Sequence, residues 1–150
     1  MPIVPDDKDR TWVLSRSCPE CGLEAAGISR ERVPDMVRAS TTTWSEAVGH
    51  PDARTRPDDA AWSTLEYACH VRDVCRLFDE RLVLMIEKDD PVLANWDQDE
   101  TARTMAYADQ DPGTVATELA AAAATSADRF AALSEDRWTR PGRRSNGSVF

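Results

Sequence analysis

Apolar residues recur at helical spacing in three stretches of the chain, and no segment reads as a convincing strand. The first stretch runs from about Val33 to Val48, with Val33, Val37, Trp44 and Val48 on one face. Pro34 suits a first helical turn, and Gly49-His50-Pro51 stops the helix. The second stretch is the clearest. Ser63 can cap it, Glu66 stands at capping-box spacing, and no Gly or Pro interrupts the run to about Glu87. Val71, Cys75, Phe78, Leu82 and Met85 form its stripe, flanked by Tyr67, Val74 and Ile86. The third begins at Asp111-Pro112, an N-cap followed by an N1 proline, and ends near Ser134. Its apolar face is Val115, Leu119, Ala122, Ala123, Phe130 and Leu133.

Between these stretches the periodicity fades. Residues 1–30 form an irregular arm punctuated by Pro2, Pro5, Pro19, Gly22 and Gly27, which Trp12, Val13 and Leu14 can pin to the body. An acidic connector surrounds Trp96, and a short helical piece is expected over 100–108. The tail carries turn chemistry at Pro141-Gly142 and Asn146-Gly147. Its Arg137, Arg140, Arg143 and Arg144 read as a solvated end. The pattern predicts an all-α, antiparallel helical bundle over residues 31–150, with three main helices behind the arm. A fourth helix would close such a bundle better, so it reads as incomplete at its C-terminus, where Val149-Phe150 looks like an interrupted segment. A groove along Val71, Phe78 and Met85 is then left partly uncovered, which predicts a homodimer or poor solubility.

Composition narrows the functional classes. A chain of 150 residues with 41% hydrophobic content suits one domain with one core. A net charge of −9 argues against nucleic acid as the main partner. No apolar run is long enough for a membrane span, and the N-terminus lacks an apolar signal core, so the expected setting is the cytoplasm. There, four cysteines suggest free thiols or metal ligands before disulfides.

Few residues can carry chemistry. His70 falls near the edge of the second helix's stripe, where an imidazole is half-buried against a neighbouring helix and can ligate a metal. Glu66, one turn earlier, could hold its other ring nitrogen. The plainer reading is a boundary histidine bonded to Glu66, since one histidine makes no site. Cys18 and Cys21 lie in C-P-E-C-G, a spacing that suits one tetrahedral zinc. A redox pair or two ordinary thiols are the other readings. Cys75 points into the stripe, whereas Cys69 points away from it, to where the arm could lie. A structural zinc on Cys18, Cys21 and Cys69 with a fourth ligand is therefore one candidate site. Asp97, Asp99 and Glu100 lack the spacing of a calcium loop. Glu66, Asp73 and Glu80 recur every seven residues and read as charges on a solvated face. No hydrolase elbow, P-loop or dinucleotide fingerprint occurs.

The block from Trp62 to Val74, W-S-T-L-E-Y-A-C-H-V-R-D-V, resembles the second-helix signature of the DinB superfamily. This group of DinB/YfiT-like bundles is related to the N-terminal domain of the mycothiol-dependent maleylpyruvate isomerase. The segment D-D-P-V-L-A-N-W-D-Q-D, with C-P-E-C-G and the terminal G-R-R-S-N-G-S-V-F, is similar to an actinobacterial subgroup. The resemblance implies a four-helix bundle and a divalent metal, zinc or nickel, held by three histidines. His70 matches the first of these. No residue here matches the two that the family carries on its last helix. It further implies a thiol S-transferase or related detoxification enzyme, with a low-molecular-weight thiol such as mycothiol and an electrophile as its small-molecule partners. The alternative is a non-catalytic, zinc-stapled bundle acting in binding or thiol sensing.

Overall fold

The computed structural model describes Ile3, residues 11–145 and Gly147. Asn146 and the expected apolar end at Val149-Phe150 lie outside the described residues, as does most of the first ten. The helices are α1 (Val33–Thr41), α2 (Trp44–Gly49), α3 (Thr64–Glu87), α4 (Gln98–Thr104) and α5 (Pro112–Ala131). Short 3-10 turns punctuate the arm and the connections. Among the described residues, no helix is long and apolar enough to cross a membrane.

α3 starts where the sequence says it should. Ser63 Oγ accepts the Glu66 amide at 3.2 Å, and the Glu66 carboxylate accepts the Ser63 amide at 2.8 Å. Such a cap contributes about 1 kcal/mol. Asp111 does the same for α5, accepting the Thr114 amide at 2.8 Å, with Pro112 in the first turn. The buried positions of α5 are Val115, Leu119, Ala122, Ala123, Ser126 and Ala127, a helical stripe made mostly of small residues. Small side chains let the backbones approach closely, so α5 packs against α3, α1 and α2 together, and α2 also reaches α3. The main core joins Val48, Leu65, Ala68, Cys69, Tyr107, Val115 and Leu119, and a smaller cluster joins Cys75, Ala122 and Ala123.

The first helix is broken where the apolar pattern predicts one piece, giving α1 and α2. The cause lies in three consecutive threonines. The hydroxyls of Thr41 and Thr42 donate back to the carbonyls of Val37, Arg38 and Ala39, competing with the helical ladder. The short helical piece is α4, starting two residues earlier than expected because Asp97 caps it through the Glu100 amide at 2.8 Å.

The basic tail is not a solvated end. Arg137 donates to the Ile86 carbonyl at 2.7 Å, and Arg140 donates to the carbonyls of Met85 and, at 2.8 Å, Lys88. These carbonyls close α3, and terminal carbonyls attract cations. Arg143 pairs with Asp90 at 2.8 Å. A two-residue parallel bridge, β1 (Val92–Leu93) with β2 (Arg143–Arg144), fastens the tail to the connector. Gly142 lies so close to Met85 that a Cβ there would meet its sulfur at 3.2 Å. The tail thus covers part of the second half of α3. Phe78 stays 49% exposed, although it belongs to the predicted stripe.

Candidate functional site

His70 stands on the first third of α3, two turns after its N-cap Ser63. Its ring stacks on Trp96 at a centroid distance of 5.4 Å with the planes 10° apart. Trp62 leans on it at 5.3 Å and 56°. One indole comes from the segment just before α3 and the other from the acidic connector, so two loops close over one helix face. Inside this sandwich His70 Nδ1 is buried without a hydrogen-bond partner. Burial lowers its pKa from the ordinary value of 6.5, and the charges of Asp73 and Asp99 only partly offset that. The imidazole is therefore neutral near pH 7, with a ring nitrogen unused by the fold.

This neutrality has a measurable consequence. Below pH 6.5 the unfolded chain gains a proton at this position that the folded chain resists. The stabilising difference is complete above that pH and is lost as pH falls through the lower, folded-state value. Urea midpoints taken between pH 7.5 and 5.5 should fall more steeply for the wild type than for His70→Gln. Parallel slopes would contradict it.

Glu66 does not hold the His70 ring. The capping box turns its carboxylate toward the helix start, where Arg56 binds both oxygens at 2.9 and 2.5 Å. Glu66 is 3% exposed. Burial opposes its charge, but Arg56 and Ser63 outweigh it and hold the carboxyl below the usual range. Asp73 is likewise no solvated charge. It accepts Arg72 at 2.8 Å and the Tyr107 hydroxyl at 2.5 Å. Burial, then Asp73, push the Tyr107 phenol up, so it remains a donor. Arg72, 2% exposed, also reaches Gln110 and Glu118, each at 2.8 Å. Of the three acidic residues spaced by seven, only Glu80 is exposed.

A cleft of about 390 Å³ opens beside this cluster, lined by Arg56, Trp62, Glu66, Asp99, Ala102 and Tyr107 among others. It shares Trp62 and Asp99 with the surroundings of His70. Ala106, also in its wall, holds φ +48°, a left-handed conformation costly for alanine. That turn, between α4 and Tyr107, carries the Tyr107 ring into the core.

The cysteines do not gather. Cys69, expected on the arm side of α3, is fully buried in the main core, where Val48 of α2, Tyr107 of the turn after α4 and Val115 and Leu119 of α5 join it on sides the periodicity left open. Its sulfur faces the Tyr107 carbonyl at 3.9 Å and Gln110 Oε1 at 3.6 Å. Burial pushes its thiol up to about 11, so it is not a ready thiolate. Cys75 is buried between α3 and α5. Cys18 and Cys21 share a turn in the arm, where the Cys21 and Glu20 amides and the Cys21 thiol hold the Cys18 pKa down. Among the described residues, no three His, Cys, Asp or Glu side chains are placed to hold one metal ion.

Fold and site together define an all-α protein of four-helix-bundle architecture, with one neutral imidazole enclosed by tryptophans near a polar cleft. The chain belongs to the DinB superfamily, whose family model matches residues 31–149. Its structure is similar to that of YfiT from Bacillus subtilis, described as a probable metal-dependent hydrolase with an unusual four-helix bundle topology. The TM-score is 0.74 at 14% identity, over 83% of this chain and 75% of that one, a likeness of fold. No curated protein matches the chain significantly.

Trp62 and His70 were legible as part of one block. The contribution of Trp96 was not, because nothing in a 26-residue separation announces a ring stack. Arg56 carries no sequence signal beyond its charge, and Arg72 lies inside the block with nothing in the pattern to announce its buried network.

Proposed function

We propose that this chain is a metal-dependent DinB-type enzyme in which His70 supplies one metal ligand, and that its chemistry is transfer of a low-molecular-weight thiol, of the mycothiol class, to a small electrophile. The observation that carries the reading is the buried, unpartnered Nδ1 of a neutral His70. A polar atom kept dry without a partner costs free energy, and a ligand role accounts for that cost. The description of YfiT as a probable metal-dependent hydrolase supports a metal in this fold. The described residues do not complete a metal centre by themselves. On this proposal the remaining donors come from outside them. A bound divalent metal would supply thiol activation as thiolate. The chain's own residues do the rest. Trp62 and Trp96 orient the imidazole and keep water from it, while Arg56, Asp99 and Tyr107 give the neighbouring cleft its polar contacts.

The test is conjugation of a cysteine-derived thiol to a fluorogenic electrophile, with and without added zinc or nickel. Metal-dependent turnover that His70→Ala reduces to the metal-free background is expected. Turnover indifferent to metal or to His70 would overturn the reading. Metal- and His70-dependent hydrolysis without thiol transfer would overturn the transferase part alone.

A further inference from the structure

The Cys18–Cys21 pair is left unused by the proposed function, and its turn is well built. The Cys18 amide donates to the Leu23 carbonyl at 2.9 Å, and the Gly22 amide donates to the Cys18 carbonyl at 2.8 Å. Gly22 sits at φ +74°, which a side-chain-bearing residue adopts only with strain, so glycine is what lets the chain reverse there. Ser17 Oγ donates to Glu24 Oε1 at 2.9 Å and latches the base of the loop. Cys18 and Cys21 stand three residues apart on this turn. Both cysteines therefore stand on one short loop already closed by hydrogen bonds. Cys21 is exposed and Cys18 partly so.

Two thiolates on one turn are soft donors that select a zinc-class ion, and that ion takes four ligands in structural sites. This turn offers two. Cys69 and Cys75 are locked in the core, and among the described residues no third donor joins the pair. An exposed turn with two of four ligands can be completed by an equal turn. We infer that the Cys18–Cys21 turn is half of a tetrathiolate site for a zinc-class ion, completed by the same turn of a second copy of this chain.

Assembly forms four metal–sulfur bonds, and four thiols lose their protons to solvent for each ion bound. Nothing is oxidised or reduced. The net charge of −9 on each copy opposes close approach, so the dimer should depend on the metal.

The experiment is a zinc titration of the full, reduced chain under anaerobic conditions, followed by native mass spectrometry and sedimentation. In His70→Ala, which lacks the proposed catalytic ligand, one zinc per two chains, with a doubling of mass that a chelator reverses, is expected. Cys18→Ser and Cys21→Ser should each stay monomeric, with unchanged melting temperature in the absence of metal. His70→Ala should dimerise as the wild type does, which separates this site from the proposed catalytic one. Cobalt should give the charge-transfer and ligand-field absorption of four thiolates. One zinc per monomer at this turn, a dimer that forms without metal, a metal-driven dimer that survives both serine variants, or no uptake at all would each overturn the inference.

Discussion

Replacing Arg72 with alanine should destabilise the fold by about 3–5 kcal/mol, the usual cost of removing one partner of a buried charge network. Arg72 is 2% exposed, and its guanidinium ties α3 to Gln110 and to Glu118 on α5 while bracing Asp73 beside it. Alanine would strand the Asp73 carboxylate, which is 13% exposed, with only the Tyr107 hydroxyl and the more distant Arg76 at 3.6 Å. Lysine should not rescue it, because three acceptors in different directions need the planar fork of arginine. In a chain of this size the melting temperature should fall by roughly 10 °C. A double-mutant cycle with Glu118→Gln checks the assignment. Coupling near zero, or a single-variant loss under about 1 kcal/mol, would show that the network is not what joins the two helices.

Trp62→Ala should be nearly as severe, at about 3–5 kcal/mol for a large buried aromatic ring. Trp62 is 7% exposed and touches three other rings, Tyr67 at 5.4 Å, His70 at 5.3 Å and Tyr107 at 6.4 Å. Its loss has a second, local effect. One wall of the His70 sandwich disappears, water reaches the imidazole, and its pKa should climb back toward the ordinary value. Chemical denaturation reads the first effect, and an NMR titration of the His70 ring reads the second. A stability loss with no change in the His70 titration would show that Trp96 and α3 alone keep the ring dry.

The contrast between these residues shows what the sequence could disclose. α3 was legible because its information is local, in a Ser63–Glu66 box and an uninterrupted run to Glu87. α5 was legible for the same reason, through Asp111-Pro112 and the small-residue stripe. The break at Thr42-Thr43 was missed because its cause is a set of hydroxyl-to-carbonyl bonds that compete with an otherwise sound apolar pattern. His70 was found, but its neighbours were misassigned. Glu66 was expected on the ring and is held instead by Arg56, ten residues earlier in a loop. The tail arginines were read as solvated because their partners are backbone carbonyls more than fifty residues away, at the end of α3. Cys69 was placed on an outer face because periodicity sees one stripe, whereas α2 at Val48 and the turn at Tyr107 enclose that part of α3 from other sides.

The account stands on His70 as a ligand held ready by the fold. An NMR titration of the two imidazole rings with zinc tests it directly, since the chain has only His50 and His70. His50 is exposed beside Asp52 and serves as the internal control. The His70 ring should respond first, at lower metal concentration than His50, and Trp96→Ala should weaken that response. A His70 ring that stays silent while His50 shifts would contradict the claim and leave it a buried structural histidine.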